Sequence, residues 1–204
     1  MKTQTIDARK TLRQEIRQKR KSLNPHAQRQ ATERVSNKIL NSKLFHRCQH
    51  LACFLAADGE IDLTLIIDQA IKENKCCYLP MIRKDDIDAL LFYRYLPGDE
   101  LVQTKLGVYE PGDQREAIAA EDLDVVLTPL VAFDQQANRM GMGKGYYDRT
   151  FAFKNSPHTK ADKPFLLGIA HECQRVESLE TAWWDVPLDA IVTPENLYGA
   201  KELL

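Results

Sequence analysis

Residues 139–149, RMGMGKGYYDR, combine three alternating glycines with two arginines, a lysine and an aspartate. They follow an apolar run, DVVLTPLVAF, that is typical of a buried strand. Alternating glycines permit positive φ and let a backbone approach a ligand closely. A helix beginning near Lys144 would direct free N–H groups and its positive dipole end at that ligand. The pattern favours an anion, most simply a phosphate. The alternative is a tight strand-to-helix turn with an ordinary surface lysine.

The spacing of the loop narrows the kind of phosphate site. G-x-G-x-G differs from the G-x-G-x-x-G of dinucleotide-binding proteins, and Gly145 stands where a P-loop has its Mg²⁺-binding Ser or Thr. A metal ligand must then come from elsewhere. Asp148, one helical turn into the predicted helix, is a candidate because Mg²⁺ binds carboxylates together with phosphates. A helix-dipole or salt-bridge role suits Asp148 equally well. Tyr146 and Tyr147 are suited to stack a heteroaromatic ring or to belong to the core.

The elements that must hold this loop alternate along the chain. We expect helices over 8–23, from Pro25 to about Leu40, after a capping Asp62, and over 144–153. We expect strands over 51–56, 75–82, 89–95, 124–131, 165–170 and 189–193. Asn24 and Pro25 supply a helix cap and a first-turn proline. Strands alternating with helices predict one α/β domain over 1–204, with a largely parallel sheet covered by helices on both faces.

Ligands of such sheets bind outside the carboxyl ends of the strands. Three polar segments follow predicted strands: DGEID at 58–62, FDQQANRMGMGKG at 133–145 and AHE at 170–172. We therefore expect these three segments to lie close together and to form the site.

Composition limits the class of protein. The chain of 204 residues is 44% hydrophobic and 28% charged, which is typical of a soluble globular protein. No apolar run approaches the ~18 residues of a membrane span, and no signal-peptide core is present, so we expect the cytoplasm. The five cysteines include no C-x-x-C pair and are expected to be reduced thiols. Residues 1–21 carry a net charge of +6, which indicates a nucleic acid, an anionic ligand or a solvated helix face.

The glycine loop, preceded by TPLVAFD, resembles the signature of the 5-formyltetrahydrofolate cyclo-ligase family, also called methenyltetrahydrofolate synthetase. Further blocks stand in the family's order: RKTLR at 9–13, FLAADGEID at 54–62, LGVYEP at 106–111 and WDVPLDAIVT at 184–193. The resemblance spans nearly the whole chain. It implies a fold similar to the α/β sheets of the sugar-phosphate isomerase and CoA-transferase type.

The resemblance also implies a reaction. ATP and Mg²⁺ would drive closure of 5-formyltetrahydrofolate to 5,10-methenyltetrahydrofolate, with release of ADP and phosphate. Transfer of the γ-phosphoryl group to the formyl oxygen would give an iminium phosphate, which N10 attacks as phosphate departs. The protein would mainly position the reactants and stabilise charge. The implied partners are a reduced folate and ATP, and neither a nucleic acid nor a membrane is expected as a partner. The protein is expected to be a monomer or a weak dimer.

The resemblance assigns site residues by position. For ATP they are Arg9, Lys10, Arg13, Arg139, Met140, Gly141, Met142, Gly143, Lys144, Gly145, Tyr146 and Tyr147. Lys144 and Arg139 are assigned to catalysis. Leu55, Glu60 and Tyr146 are assigned to the folate, and Asp148 and Asp185 to Mg²⁺. Each also has a structural interpretation: Leu55 as core, Glu60 as a loop acid and Asp185 as a turn residue.

Two other functions remain open at this point. The basic helix over 8–23 could lead an RNA- or anion-binding module, although no RNP-like aromatic motif or zinc knuckle appears. A sugar-phosphate isomerase or an acyltransferase could share the same fold, because fold alone does not fix function. Neither of these enzymes needs ATP.

Overall fold

The structure is a computed structural model that describes residues 6–82, 89–103, 109–112, 116–155 and 163–199. Leu106 and Gly107 of the LGVYEP block lie outside the described residues. The helices are α1 (Ile6–Lys21), α2 (Pro25–Leu40), α3 (Lys43–Arg47), α4 (Thr64–Lys72) and α5 (Tyr146–Thr150). The strands are β1 (His50–Ala52), β2 (Cys76–Ile82), β3 (Leu90–Arg94), β4 (Leu101–Gln103), β5 (Tyr109–Pro111), β6 (Ala117–Ile118), β7 (Val125–Pro129), β8 (Ala132–Phe133), β9 (Arg139–Met140), β10 (Phe165–Ile169), β11 (Ala190–Val192) and β12 (Leu197–Gly199).

Eight strands of the described chain form the central sheet, in the order β12-β11-β10-β7-β1-β2-β3-β6. The five strands from β11 to β2 are parallel to one another. The edges are antiparallel, with β12 beside β11 and β3 between β2 and β6. The predicted α/β fold with a largely parallel sheet is confirmed. The five parallel strands all end at the same edge of the sheet, where the site is expected.

The core has two layers because successive residues of a strand point to opposite faces of the sheet. In β7, Val125 and Leu127 pack with the apolar faces of α2 and α4. Val126, between them, packs on the other face with Phe151, which follows α5. A continuous apolar run in the sequence is therefore what a strand buried on both faces requires. Helices cover both faces, as predicted.

Several boundaries differ from the sequence expectation: α1 spans Ile6–Lys21 rather than 8–23, β1 ends at Ala52 rather than at 56, and α4 and α5 begin differently. Leu63 is the N-cap of α4, and Asp62 instead accepts hydrogen bonds from the backbone N–H and the hydroxyl of Thr64, at 2.9 and 2.6 Å. Helix α5 begins at Tyr146 rather than near Lys144, because Gly145 adopts a left-handed conformation with φ of 67°. It ends after five residues and gives way to a 3-10 turn over Ala152–Asn155.

Helix α1 lies across the carboxyl edge of the sheet instead of on a face. Its Ile16 joins a small cluster with Val131, Ala132, Met140 and Leu179, which belong to the segments that follow β7, where β8 and β9 lie, and β10. All five cysteines are free. In the described part of the chain, no helix combines the length and apolar character that a membrane crossing requires.

Candidate nucleotide and substrate site

The loops after β1, β7 and β10 meet at the carboxyl edge of the sheet, as predicted. Nε2 of His171 lies 3.1 Å from the carbonyl oxygen of Gly59, and because a carbonyl only accepts, this nitrogen carries the proton. The side-chain amide of Gln174 donates to the carbonyls of Leu130 and Val131 at 2.7 and 3.0 Å. Burial lowers the pKa of His171 to about 4, so its imidazole is neutral at neutral pH and serves as a tether.

The glycine loop over 141–145 rests against α1. Nε of Arg13 donates to the carbonyl oxygen of Gly141 at 3.0 Å. Gly143 has φ of 90°, and a Cβ placed on it would lie 3.3 Å from Cζ of Arg13. Both the backbone angle and the close guanidinium therefore call for glycine at this position. The amino-terminal helix and the glycine loop form one surface.

This surface concentrates positive charge. Lys144 is exposed at the tip of the loop, and its ammonium has no partner among the residues that the structure describes. Nε of Arg9 is buried without a hydrogen-bond partner in the described chain. Burial, and then repulsion from Arg9, lowers the pKa of Arg13. Lys10 is exposed on the same helix. Cations this close together, with no carboxylate paired to them in the described part of the chain, suit a polyanion such as a polyphosphate.

The charges of both aspartates assigned to Mg²⁺ act on Arg139. Nη2 of Arg139 donates to Oδ1 of Asp148 at 2.6 Å, and Nη1 donates to the carbonyl oxygen of Val186. The backbone N–H of Val186 also donates to Oδ1 of Asp148 at 3.2 Å. Asp185 directly precedes Val186 and accepts from the N–H of Ala182 through Oδ2. Burial lowers the pKa of Arg139, and the charges of Asp148 and Asp185 oppose that shift.

Asp148 and Asp185 offer Mg²⁺ two carboxylate groups. In the described part of the chain, one oxygen of Asp148 and one of Asp185 have no protein partner. No group of three or more His, Cys, Asp or Glu side chains within that part is close enough to hold a metal ion. Mg²⁺ commonly takes one or two carboxylates and completes its shell with phosphate oxygens and water. The two aspartates therefore fit Mg²⁺ when it arrives with a polyphosphate.

Two assigned residues occupy different environments from those expected. The Arg139 side chain is only 7% exposed and is paired with Asp148, so it positions that carboxylate and is not a free cation. The side chain of Met140 is buried with Ile16 and Leu179, so only its backbone is available to a nucleotide. Met142, by contrast, is exposed at the loop tip.

Glu60, one of the three residues assigned to folate, lines a cleft of about 330 Å³. It is lined by Gln28, Arg29, Thr32, Glu33, Glu60, Asp62 and Leu65. Oε2 of Glu60 accepts from the N–H of Ala57 at 3.1 Å, and burial raises the pKa of Glu60. Leu55 is partly buried against the core. Burial, and then the charge of Glu60, raises the pKa of Tyr147.

Tyr146 and Tyr147 both pack partly against the core on the α5 side of the sheet. The guanidinium of Arg149 lies 5.3 Å from the ring centroid of Tyr146. Tyr147 lies just after the glycine loop, and its side chain packs against the apolar cluster that contains Phe151.

Sequence reasoning missed Arg20 and set His171 aside. Arg20 is 1% exposed and bridges the loops after β1 and β7. A signal was present, because Arg20 lies four residues after the buried Ile16 and so shares its helix face. No comparable signal exists for His171, whose partner Gly59 is far away in sequence.

Residues 5–194 match the family model described as the 5-formyltetrahydrofolate cyclo-ligase family. The chain belongs to this family. Over 184 residues it is 39% identical to the cyclo-ligase of Escherichia coli K12, which covers 90% of this chain and 98% of that protein. Over 182 residues it is 38% identical to the cyclo-ligase of Haemophilus influenzae, covering 88% of this chain and 94% of that one. The resemblance seen in the sequence is confirmed, and the protein is an enzyme of the cyclo-ligase family.

Solved structures agree with the cyclo-ligase assignment. The 5,10-methenyltetrahydrofolate synthetase of Aquifex aeolicus superposes with a TM-score of 0.78 at 30% identity, covering 95% of this chain and 93% of that one. The synthetase of Mycoplasma pneumoniae has a TM-score of 0.69 at 20% identity, covering 91% and 98% of the two chains, and it supports the fold.

Proposed function

We propose that this cyclo-ligase uses ATP and Mg²⁺ to close 5-formyltetrahydrofolate to 5,10-methenyltetrahydrofolate, releasing ADP and phosphate. The observation that carries the proposal is the adjacency of two unlike surfaces at one sheet edge. Arg13 and the glycine loop form a cationic surface, and Glu60 opens into an acidic cleft. Helix α1 links them, because its Arg13 contacts the glycine loop and Nη1 of its Arg20 lies 3.5 Å from Oε1 of Glu60. A polyphosphate and a pterin with N–H donors match these two surfaces in charge.

The chemistry explains why two sites must adjoin. The N5-formyl group is an amide whose oxygen is a poor leaving group. Transfer of the γ-phosphoryl group to that oxygen gives an iminium phosphate; N10 then attacks the formyl carbon, and phosphate leaves with the oxygen. The protein's share of such a reaction is alignment and electrostatic stabilisation. The terminal phosphate and the formyl oxygen must therefore meet where the glycine loop faces the Glu60 cleft.

Roles follow from the environment of each side chain. Lys144 and the open N–H groups of the loop bind phosphate oxygens, with Arg9, Lys10 and Arg13 supplying further charge. Mg²⁺, when bound, neutralises charge on the phosphates. Asp148 and Asp185 hold it, and Arg139 orients Asp148. Glu60 accepts the paired N–H donors of the pterin edge, and Leu55 and Tyr146 offer apolar contact.

The activity can be tested by following the near-ultraviolet absorbance of the methenyl product. We expect product only when ATP and Mg²⁺ accompany 5-formyltetrahydrofolate. Thermal unfolding in the presence of sugar phosphates, RNA or Mg·ATP separates the alternatives, because a ligand of the native state raises the unfolding temperature. Absence of product together with stabilisation by a sugar phosphate would favour an isomerase. Stabilisation by RNA alone would favour a binding module.

Arg13→Ala is expected to raise the KM for ATP about tenfold, because a hydrogen bond to a charged group contributes about 1.5–3 kcal/mol. The KM for 5-formyltetrahydrofolate should stay near that of the unmodified enzyme. Steady-state kinetics with each substrate varied in turn measures both. Arg34→Ala, at an exposed position on α2, is the matched control and should change neither KM. An unchanged KM for ATP in Arg13→Ala would remove Arg13 from the nucleotide site.

Asp148→Asn and Asp185→Asn should each raise the Mg²⁺ concentration that gives half-maximal rate. Each removes one charge from the same ion, so the effects of the two substitutions should not add in the double variant. Asp148 also pairs with Arg139, so Asp124→Asn is the control: Asp124 is paired with Lys163 before β7, at the opposite sheet edge. It should lower stability without changing the Mg²⁺ dependence. Additive effects would mean that the two aspartates do not share an ion.

A further inference from the structure

Arg20 is a buried cation whose hydrogen bonds all go to loops of the site. Its Nε donates to the carbonyl oxygen of Asp58 at 2.9 Å, and its Nη2 to Oδ2 of the same residue at 3.0 Å. Its Nη1 donates to the carbonyl oxygen of Leu130 at 3.2 Å and lies 3.5 Å from Oε1 of Glu60. The side chain is 1% exposed. One guanidinium thus joins the loop after β1, the loop after β7 and the carboxylate assigned to folate.

Stability alone is a weak reason for such a residue. Removing a charge from water is costly, and a well-packed apolar side chain is often at least as stabilising as a buried ion pair. Ile16, one turn earlier on the same face of α1, shows that this face accepts an apolar residue. A charged, multidentate side chain at position 20 therefore suggests that a particular loop geometry is required.

The turn that Arg20 holds is locally unfavourable. Asp58 has φ of 56° and Gly59 has φ of 77°, so two successive residues lie in the left-handed region. A residue other than glycine occupies that region at a cost and needs surrounding structure to keep it there. Burial opposes ionisation of Asp58, yet hydrogen bonds from Arg17 and Lys21, with the charge of Arg20, lower its pKa to about 2. The turn is fixed by α1.

We propose that Arg20 is a positioning residue for the folate: its guanidinium fixes the turn at Asp58 and Gly59 so that Glu60 faces the cleft as a carboxylate. The proposal rests on the proposed function, in which Glu60 accepts N–H donors of the pterin. A protonated carboxyl group has a donor in place of one acceptor and cannot accept a pair of donors in the same way. Position and ionisation of Glu60 therefore both depend on Arg20.

Several charged groups face Glu60. Arg20 and Arg17 approach from α1, Asp58 belongs to its own loop, and the phenol of Tyr147 approaches from α5. Arg29 and Glu33 of α2, with Asp62, line the same cleft. Burial raises the pKa of Glu60, and Arg20 is the first of the groups that oppose this rise. Loss of Arg20 would therefore raise this pKa further.

The test compares Arg20→Met with Arg20→Lys. Arg20→Met should raise the KM for 5-formyltetrahydrofolate about tenfold or more, with the KM for ATP changed by less than about threefold. The acid limb of kcat/KM for the folate should move to higher pH, because Glu60 takes up a proton more readily. Arg20→Lys restores the charge without the multidentate hold. Its acid limb should return towards that of the unmodified enzyme, while the KM for the folate stays raised.

Lys75→Met is the matched control. Lys75 is also a buried cation, bonded to the carbonyl oxygens of Cys48 and His46 at 3.1 and 3.4 Å, but it precedes β2 at the opposite edge of the sheet. Its loss should lower the unfolding temperature and leave both KM values and the pH profile unchanged. An Arg20→Met enzyme that behaves in the same way would overturn the proposal. So would equal changes in both KM values with an unshifted acid limb.

Two further variants keep the test decisive. If Arg20→Met does not fold, Asp58→Asn replaces it, because this substitution removes the charge that Arg20 binds and keeps the shape of the side chain. Asp58→Asn should raise the KM for the folate and not that for ATP. An unchanged KM for the folate would overturn the proposal. Glu60→Gln tests the premise separately. An unchanged KM for the folate in Glu60→Gln would overturn the role of Glu60 and this inference with it. A raised KM there, with a normal Arg20→Met enzyme, would overturn this inference alone.

Discussion

Lys144→Ala is expected to lower the turnover of the cyclo-ligase by about two to three orders of magnitude. Removal of one preorganised donor to developing charge costs about that much in other enzymes. Lys144 is exposed at the tip of the glycine loop, and its ammonium is unpaired among the described residues, so a phosphate does not have to displace an existing partner. Its backbone carbonyl accepts a hydrogen bond from Arg149, which anchors the chain behind the side chain.

The measurement is kcat at saturating ATP and 5-formyltetrahydrofolate, with circular dichroism to establish folding. Lys43→Ala is the matched control, because Lys43 is an exposed lysine at the start of α3. It should retain full turnover. Lys144→Arg keeps the positive charge but places it on a planar guanidinium, so its rate should be higher than that of Lys144→Ala and lower than that of the unmodified enzyme. Full turnover in a folded Lys144→Ala enzyme would make Lys144 an ordinary surface residue and move the transferring phosphate elsewhere.

The parallel core and its helices were predictable because burial of one or both faces of an element produces a regular pattern of apolar residues in the sequence. Apolar runs such as that of β7 correspond to strands covered on both faces, and Asn24 with Pro25 marks the start of α2, where Asn24 accepts from the N–H of Ala27. The location of the site followed from topology, since parallel strands end at one edge. The helices and strands thus depend on local sequence, and the location of the candidate site depends on the rule that ligands bind at the carboxyl ends of parallel strands.

Other features depend on contacts that the sequence does not encode locally. Strands β8, β9 and β12 have only two or three residues, too few to show a period. Family resemblance assigned Arg139 and Met140 to ATP by position. It did not reveal that Arg139 is bound to Asp148 or that the side chain of Met140 lies in the core. The fold alone decides whether a loop residue offers its side chain or its backbone.

The short length of α5 changes where phosphate affinity must come from. The helix expected over 144–153 spans only Tyr146–Thr150, and a helix of five residues has a weak macrodipole. In the proposed site, the loop's own N–H groups and the cations of α1 therefore supply most of the attraction for a phosphate. The glycines that shape the loop then matter more than the helix that follows them.

Gly143→Val is therefore expected to weaken ATP binding about a hundredfold, and binding of 5-formyltetrahydrofolate alone should be unchanged. Gly143 has φ of 90°, and its Cβ would lie 3.3 Å from Cζ and 3.4 Å from Nη2 of Arg13. Valine would displace that guanidinium and occupy the space through which the backbone approaches a phosphate. Loss of about two charge-assisted contacts, at about 1.5 kcal/mol each, gives the hundredfold change.

The matched control separates loss of binding from backbone strain. Gly98, in the turn between β3 and β4, has φ of 94°, but a Cβ there meets no atom within 4 Å. Gly98→Val should therefore carry a similar conformational cost, about 1–3 kcal/mol, and a similar fall in unfolding temperature. Its affinity for ATP, measured by titration calorimetry, should stay unchanged. If both variants lose ATP affinity equally, strain alone accounts for the effect. If Gly143→Val unfolds while Gly98→Val does not, Gly143 serves the turn and its contact with Arg13, and not the nucleotide.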